Sequence, residues 1–475
     1  MKRLSSIAAR LSLILLLLVG LSACAVGPDF KTPQVETPQN YRFKKVPEEA
    51  VINLKWWELF HDPVLYTLVT QALEHNRDLK AAASRVEQAR AALGYTRADE
   101  YPAINIQAGA GTGNLSGGTR SNTRNSYAYA APALNWEIDF WGKFRRATES
   151  ARAELMASEY ALRTVQIGLI SAVVGTYYRL LDYHQRVNIS KETLASRKES
   201  LNIIQKRFRR GIITELDVNQ AQIQMEIAAA AIPQYERAVA QTENVLSILL
   251  GRLPEPVKIG KGLNQTSPPP QVPLGLPASL LERRPDIVEA MYVLKAQTAD
   301  IGVAEAMRLP AISLTGMLGV ASSELSNITS EGGAGSVSGG LFGPIFQFYK
   351  NIRRVEIEEA RTQEALYTYQ NTVLTAFQEV EDALVEIDTY HKQMAAVERK
   401  EKAARNANRL ANLRYNRGVS SYLEVLETER SLFSTQLELS ELKQQYLNAY
   451  VQLYKALGGG WPTKADMGQD KKSGS

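Results

Sequence analysis

One cysteine occurs in 475 residues, and it stands where chemistry can be done on it. Cys24 follows Leu21-Ser22-Ala23, at the end of a stretch with a basic start (Lys2, Arg3, Arg10) and an apolar run from Leu11 to Leu21. That run is too short to span a bilayer, so residues 1–23 read as a removable signal peptide. Small residues before a thiol form a lipoprotein-type cleavage site. Cleavage there makes Cys24 the mature N-terminus and the acceptor of a covalent lipid. The plainer alternative is an ordinary signal peptide cut after Ala23, with Cys24 a bystander. With no second thiol, there is no intrachain disulfide and no cysteine metal site. Ala25 follows where retention in a bacterial inner membrane favours Asp, which directs the anchor to the outer membrane. Two or three acyl chains on one residue hold firmly.

Other candidate chemistry is sparse. His61, His75, His184 and His391 are scattered, with no H-E-x-x-H pattern, and the eight methionines do not cluster. Gly109-x-Gly111-x-Gly113 lacks the helix and the Lys-Ser/Thr that a phosphate loop needs. We expect no enzyme chemistry, no metal and no cofactor beyond the lipid. The net charge of +5 falls by three when Lys2, Arg3 and Arg10 leave with the signal peptide. No basic field for nucleic acid remains.

Two turns are sharper. Arg207-x-x-Arg210-Gly211 and Arg414-x-x-Arg417-Gly418 each place glycine where a helix ends in a left-handed residue. Ser421 and Glu424 then have capping-box spacing for the next helix, and Thr214 and Asp217 repeat it in the first turn. Glu427 lies three residues beyond Glu424 on the same helical face.

These turns recur because the chain is written twice. Residues 78–146 align without a gap onto 286–354, and 207–251 align onto 414–458. The unit to explain is therefore about 207 residues long, and two copies sit in pseudo-symmetry. Within a copy the order is fixed. Asp78 to Glu100 is an alanine-rich helix. Ala103 to Gly111 alternates as a strand, residues 112–126 form a polar loop, and Tyr127 to Phe140 alternates back. Each strand is about the length that a tilted membrane strand needs. The second copy gives a strand from Ile312 to Leu318, a loop at 321–336 and a return strand from Gly339 to Phe348. A long helix follows, from about Gly142 to Phe208 and from Lys350 to Asn416, roughly 100 Å if straight. A shorter one runs from Glu215 to about Leu250 and from Tyr422 to about Leu457. The two shorter helices of a copy, stacked end to end, match the long one beside them.

Such helices make a tube or bundle wall, and the strands make the only membrane-crossing element on offer. The fold class is mainly α with a small β part. Four strands cannot close a barrel, since the smallest have about eight; two chains would give eight and three would give twelve, so an oligomer is required. The domain reading is signal peptide 1–23, an N-terminal extended segment with a short helix at 24–77, and a first repeat at 78–252 with its hairpin at 101–140. A Pro-rich connector follows at 253–285, then a second repeat at 286–462 with its hairpin at 309–348, and a disordered tail at 463–475. The polar loops at 112–126 and 321–336 are expected at the cell exterior. Tyr127, Tyr129, Trp136, Trp141, Phe342 and Phe348 read as barrel belts, with packing at the strand–helix junction the alternative for Trp141.

Four motifs then carry a resemblance: Cys24-Ala25-Val26-Gly27-Pro28-Asp29-Phe30, Trp56-Trp57-x-x-Phe60-x-Asp62-Pro63, Glu282-Arg283-Arg284-Pro285-Asp286-Ile287 and Arg414-Tyr415-x-x-Gly418. Together they resemble the TolC-like outer-membrane factor family, in its lipoprotein branch serving resistance-nodulation-division pumps. The likeness runs from Cys24 to about Pro462. It implies a homotrimer, with a twelve-stranded outer-membrane barrel continuing into a periplasmic α-helical barrel, and with a periplasmic adaptor and an inner-membrane pump as partners. It also implies that Glu424 and Glu427 ring the periplasmic mouth with Tyr415 at the constriction. The tip turns (Arg207, Gly211, Arg414, Gly418) would meet the adaptor. Some members latch the mouth with an Arg near the position of Ser420, which cannot do so here. The competing reading is a lipid-anchored coiled-coil spacer without a pore. Alternating hairpins with polar faces favour the duct.

Overall fold

The computed structural model describes residues 25–43, 56–113, 125–269, 277–322 and 333–459. Residues 1–24, the tail at 463–475 and most of the two polar loops at 112–126 and 321–336 lie outside them. The α-helices longer than a single turn are α1 (Pro63–His75), α2 (Arg77–Ala98), α3 (Lys143–Arg209), α4 (Glu215–Leu249), α5 (Pro285–Ala306), α6 (Lys350–Asn416) and α7 (Tyr422–Ala456). The strands are β1 (Ala103–Gly113), β2 (Asn125–Ile138), β3 (Ala311–Ser322) and β4 (Gly333–Phe342). Duplication is visible in the lengths: α3 and α6 have 67 residues each, and α4 and α7 have 35. No described helix is long and apolar enough to cross a membrane.

The described parts of 1–34, 85–159 and 289–370 form one compact unit. Its centre is a four-stranded antiparallel sheet in the order β1-β2-β3-β4. Register sorts the side chains. Ile104, Leu134, Gly316 and Val337 form one row across the sheet, and Ile106, Pro132, Leu318 and Gly335 form the next. Asn105, Asn135, Thr315 and Ser338 lie on the opposite face, because successive side chains alternate. Ile106, Leu318 and Val337 are more than 70% exposed, so the sheet presents an apolar face that no described residue covers. The return strand corrects the sequence reading of 339–348. β4 begins six residues earlier, because the partner strand β3 supplies the hydrogen bonds that a glycine-rich stretch does not advertise. Beyond Phe342 the chain leaves the sheet, so the aromatic alternation at 346 and 348 belongs to a connecting segment.

In the same unit Asp300 of α5 is pushed up to about 6, chiefly by burial and secondarily by Glu154 and Glu358, against a bond to Ser150. A carboxyl raised in the folded state binds more protons folded than unfolded, so stability falls as pH climbs from about 4 through about 6. Allowing for its partial exposure, moving from pH 5 to 7.5 should cost about 1 kcal/mol. Asp300→Asn should flatten that dependence. Melting temperatures of both proteins at the two pH values check it, and equal slopes would remove Asp300 from the account.

The described parts of 35–84, 160–288 and 371–475 form the other unit. Its core gathers Trp57, Leu65, Val69, Val173, Tyr177, Tyr178, Leu250 and Val451. Two joints carry the helix ends. Asn76, 4% exposed, donates from Nδ2 to the Leu249 carbonyl at 2.9 Å and accepts from the Leu79 N–H at 2.9 Å. One side chain thus caps the end of α4 and the start of α2, which is how two short helices succeed one another. Arg284 serves the second copy. Its Nη1 donates to the Ala456 carbonyl at 3.1 Å and lies 2.7 Å from Glu379, while Nε and Nη2 fork onto Asp286 at 3.0 and 2.6 Å. Glycine closes each joint: a Cβ on Gly251 would sit 2.2 Å from the His75 carbonyl oxygen, and one on Gly458 would sit 2.9 Å from the Arg284 Cα.

Candidate functional site: the paired tip turns

Both long helices end in a tight turn. Gly211 and Gly418 take φ of +70° and +73°, the left-handed conformation that lets the chain reverse without a Cβ penalty. The two tips meet within one chain. The Arg207 guanidinium lies 4.6 Å from the centre of the Tyr415 ring, and its Nη2 donates to Asn416 Oδ1 at 3.3 Å. Tyr415 packs on Tyr422 at 5.2 Å between ring centres, half-buried over a cluster of Leu201, Ile204, Ala221, Val425 and Leu426.

The capping expectation divides between the copies. Asp217 Oδ2 accepts from the Thr214 N–H at 3.1 Å and from its hydroxyl at 2.9 Å, so the first turn is capped as its spacing implied. The second is not. Ser421 makes no side-chain cap, and Glu424 lies 3.4 Å from Arg414 Nε across the turn instead. A long cation within reach of the N3 carboxylate outcompetes a backbone N–H already exposed to water. Glu427 turns to Arg430 at 3.5 Å and is 67% exposed. Arg207, Tyr415 and Asn416 therefore converge, Arg414 pairs with Glu424, and Glu427 stands apart on the exposed face. Exposed apolar residues flank each glycine at matched positions: Ile212 and Leu216 in one turn, Val419 and Leu423 in the other.

Sequence reasoning missed two buried charges behind the tips. Arg197 of α3, 3% exposed, donates to the Gln224 carbonyl of α4 and stacks 5.1 Å from the Phe433 ring. Glu429 of α7 is buried nearby; burial pushes its carboxyl up, and Arg197 opposes that shift. Both fall on helical stretches that read as ordinary packed faces, so only their charge at an inward position could have flagged them.

The belt expectation also divides. The indole N–H of Trp136 donates to the Glu100 carbonyl at 3.1 Å and that of Trp141 to the Pro310 carbonyl at 2.8 Å, which turns both rings into the strand–helix junction. Phe342 and Phe348 remain more than 80% exposed. Among the described residues, no three His, Cys, Asp or Glu side chains gather as metal ligands.

The family model described as "Outer membrane efflux protein" matches residues 68–252 and 276–459, one match to each repeat. The chain belongs to the outer membrane efflux protein family. This efflux protein is 35% identical over 458 residues to the "Probable efflux pump outer membrane protein TtgC" of Pseudomonas putida, covering 93% of both chains. It is 33% identical over 449 residues to the "Probable outer membrane lipoprotein SilC" of Salmonella typhimurium, covering 93% of this chain and 96% of that one. Its fold matches the Campylobacter jejuni CmeC outer membrane channel with a TM-score of 0.86 at 26% identity, over 95% of this chain and 98% of that one. The fold is that of TolC-like outer-membrane channels. The protein is an outer-membrane efflux channel, the exit component of a tripartite pump. Its family is one of transport rather than of enzymes.

Proposed function

We propose that three copies of this chain form one duct that passively conducts small molecules from an adaptor and a resistance-nodulation-division pump to the cell exterior. The pair of open sheet edges carries this reading. Among the described residues β1 pairs only with β2, and β4 only with β3, so each outer strand presents there a row of N–H and C=O groups without a strand partner. In a bilayer those groups must be satisfied, and edge pairing between copies satisfies them by closing a barrel. The apolar sheet face then meets lipid and the polar face lines water. Cys24 carries the lipid; the name of the lipoprotein SilC supports this for a relative. The matched apolar pairs beside Gly211 and Gly418, rimmed by Arg207 and Arg414, are the contact surface for the adaptor.

In this reading Glu424 and Glu427 from three chains make the periplasmic mouth acidic, and Tyr415, held by Arg207 and Tyr422, narrows it. Like charges around a narrow opening attract cations and repel one another, so closure rests on the Tyr415 contacts. Changing Glu424 and Glu427 together to Gln should lower cation preference, read as the reversal potential across a salt gradient in a planar bilayer. The stability cost should stay near 0.5 kcal/mol per residue, because both pairs are exposed. A reversal potential that does not move removes both residues from the pore, and absence of single-channel conductance in the wild type rejects the duct.

A further inference from the structure

Where the strands hand over to the helices, a cavity of about 710 Å³ opens between the end of β2, the end of α5 and the segment joining β4 to α6. Its walls include Trp141, Met307, Phe342, Pro344, Ile345 and Phe346. The joining segment is unusual. Phe342, Ile345, Phe346 and Phe348 are 83, 101, 72 and 81% exposed, and the Phe346 and Phe348 rings lie 4.5 Å apart. Phe348 and Tyr349 both take left-handed backbone conformations, at φ of 46° and 66°, which bulky residues adopt only under constraint. An apolar patch held out in this way needs a cover.

An N-terminal strap, Ala25 to Asp29, runs beside its wall. Ala25 packs so closely on Gly142 that a Cβ there would lie 2.8 Å from the Ala25 Cα, and the Val26 N–H donates to the Trp141 carbonyl at 3.1 Å. Gly142 is flanked by Trp141 and Lys143, both in the cavity wall. The strap cannot slide. Arg146, buried in the same unit, donates to the carbonyls of Val26 and Gly27 and to Asp29 Oδ1, and Gly27 crosses Gly302 backbone to backbone. Cys24 precedes Ala25 directly in the sequence.

We propose that the acyl chains on Cys24 lie in this cavity, against Trp141, Phe342, Ile345 and Phe346, rather than mixing freely with the surrounding leaflet. The inference rests on the acylation of Cys24 proposed above. Three observations favour this occupant over a bulk phospholipid. The tether fixes the chains beside the wall and raises their local concentration far above that of any untethered lipid. One part of the wall is aromatic and aliphatic, which suits flexible hydrocarbon, and the rest is polar, with Glu137, Asp139, Lys143, Lys350 and Arg354. The clamp on residues 26–29 would be idle if the anchor needed only to be somewhere in the membrane. Seated in this way, the lipid ties the N-terminus to the junction between β4 and α6.

Photocrosslinking tests the seat on the full-length protein purified from membranes. A benzoylphenylalanine replaces Phe346 in one variant and Ile345 in a second, with Tyr367 on the exposed face of α6 as the control position. Mass spectrometry before irradiation reports whether the mature N-terminal peptide is acylated; an unacylated peptide rejects the lipidation reading itself. With acylation present, the expected result is an adduct joining position 345 or 346 to the acyl chains of the Cys24 peptide of the same chain, at least tenfold above position 367. Adducts only with free phospholipid, only with a second copy, or equal at all three positions overturn the seat while leaving the anchor intact.

Discussion

Replacing Arg284 by Ala should remove roughly 3 kcal/mol of stability, far more than any exposed arginine could. The side chain is 7% exposed and meets Asp286, Glu379 and the last carbonyl of α7 at once. Its loss leaves two carboxylates facing each other and an uncapped helix end. Both carboxylates keep some access to water, which holds the cost near the lower end of what a broken buried pair shows. Lysine should not rescue it, since one ammonium cannot replace a fork shared among three acceptors. Arg353→Ala is the contrast: its bond to Glu356 is 71% exposed on the arginine side, and its loss should cost under about 0.5 kcal/mol. Thermal unfolding followed by circular dichroism compares the three variants. A drop for Arg284→Ala no larger than that for Arg353→Ala would show that the joint does not hold the helix end.

Gly27→Val should free the strap. Gly27 sits at φ of +93°, where a β-branched residue is strained, and a Cβ would stand 2.4 Å from the Gly302 Cα. The obstacle is backbone on both sides, so no side chain can swing aside. The strap must leave, and the three Arg146 contacts leave with it. Amide exchange at Val26, protected in the wild type by the Trp141 carbonyl, should accelerate about a hundredfold, equivalent to roughly 3 kcal/mol of lost protection. Unchanged exchange would mean that the strap docks without this crossing.

The long helices were readable because an unbroken 67-residue stretch without proline leaves periodicity as the only signal, and α6 begins and ends where that signal does. The return strand was not. Gly333 to Ser338 has loop composition, and Phe346 and Phe348 mimic strand alternation, while the deciding factor is a neighbour that no local window contains. At the tips the glycines were plain in the sequence, since only a left-handed turn explains Arg-Gly at both helix ends. The route of Glu424 to Arg414 was hidden, because spacing alone fits a cap equally well. Arg146, Arg284 and Asn76 were hidden differently. Each is a polar residue at a place where long-range partners, not its own helix, make burial tolerable. Arg284 alone left a trace, inside the Glu282–Ile287 motif that carried the family resemblance.

The strand order sets a timetable. β1 and β2 are neighbours in sequence and can pair as soon as both exist, as can β3 and β4. The middle seam, β2 against β3, has α3, α4, the connector and α5 between its two sides. Closing so long a loop is slow, and helices form from local contacts well before it happens. A newly exported chain therefore passes through a stage with its helices wound and its two hairpins apart, each still showing an unpaired inner edge. Whatever escorts it across the periplasm must shield four such edges, not two, until the seam zips.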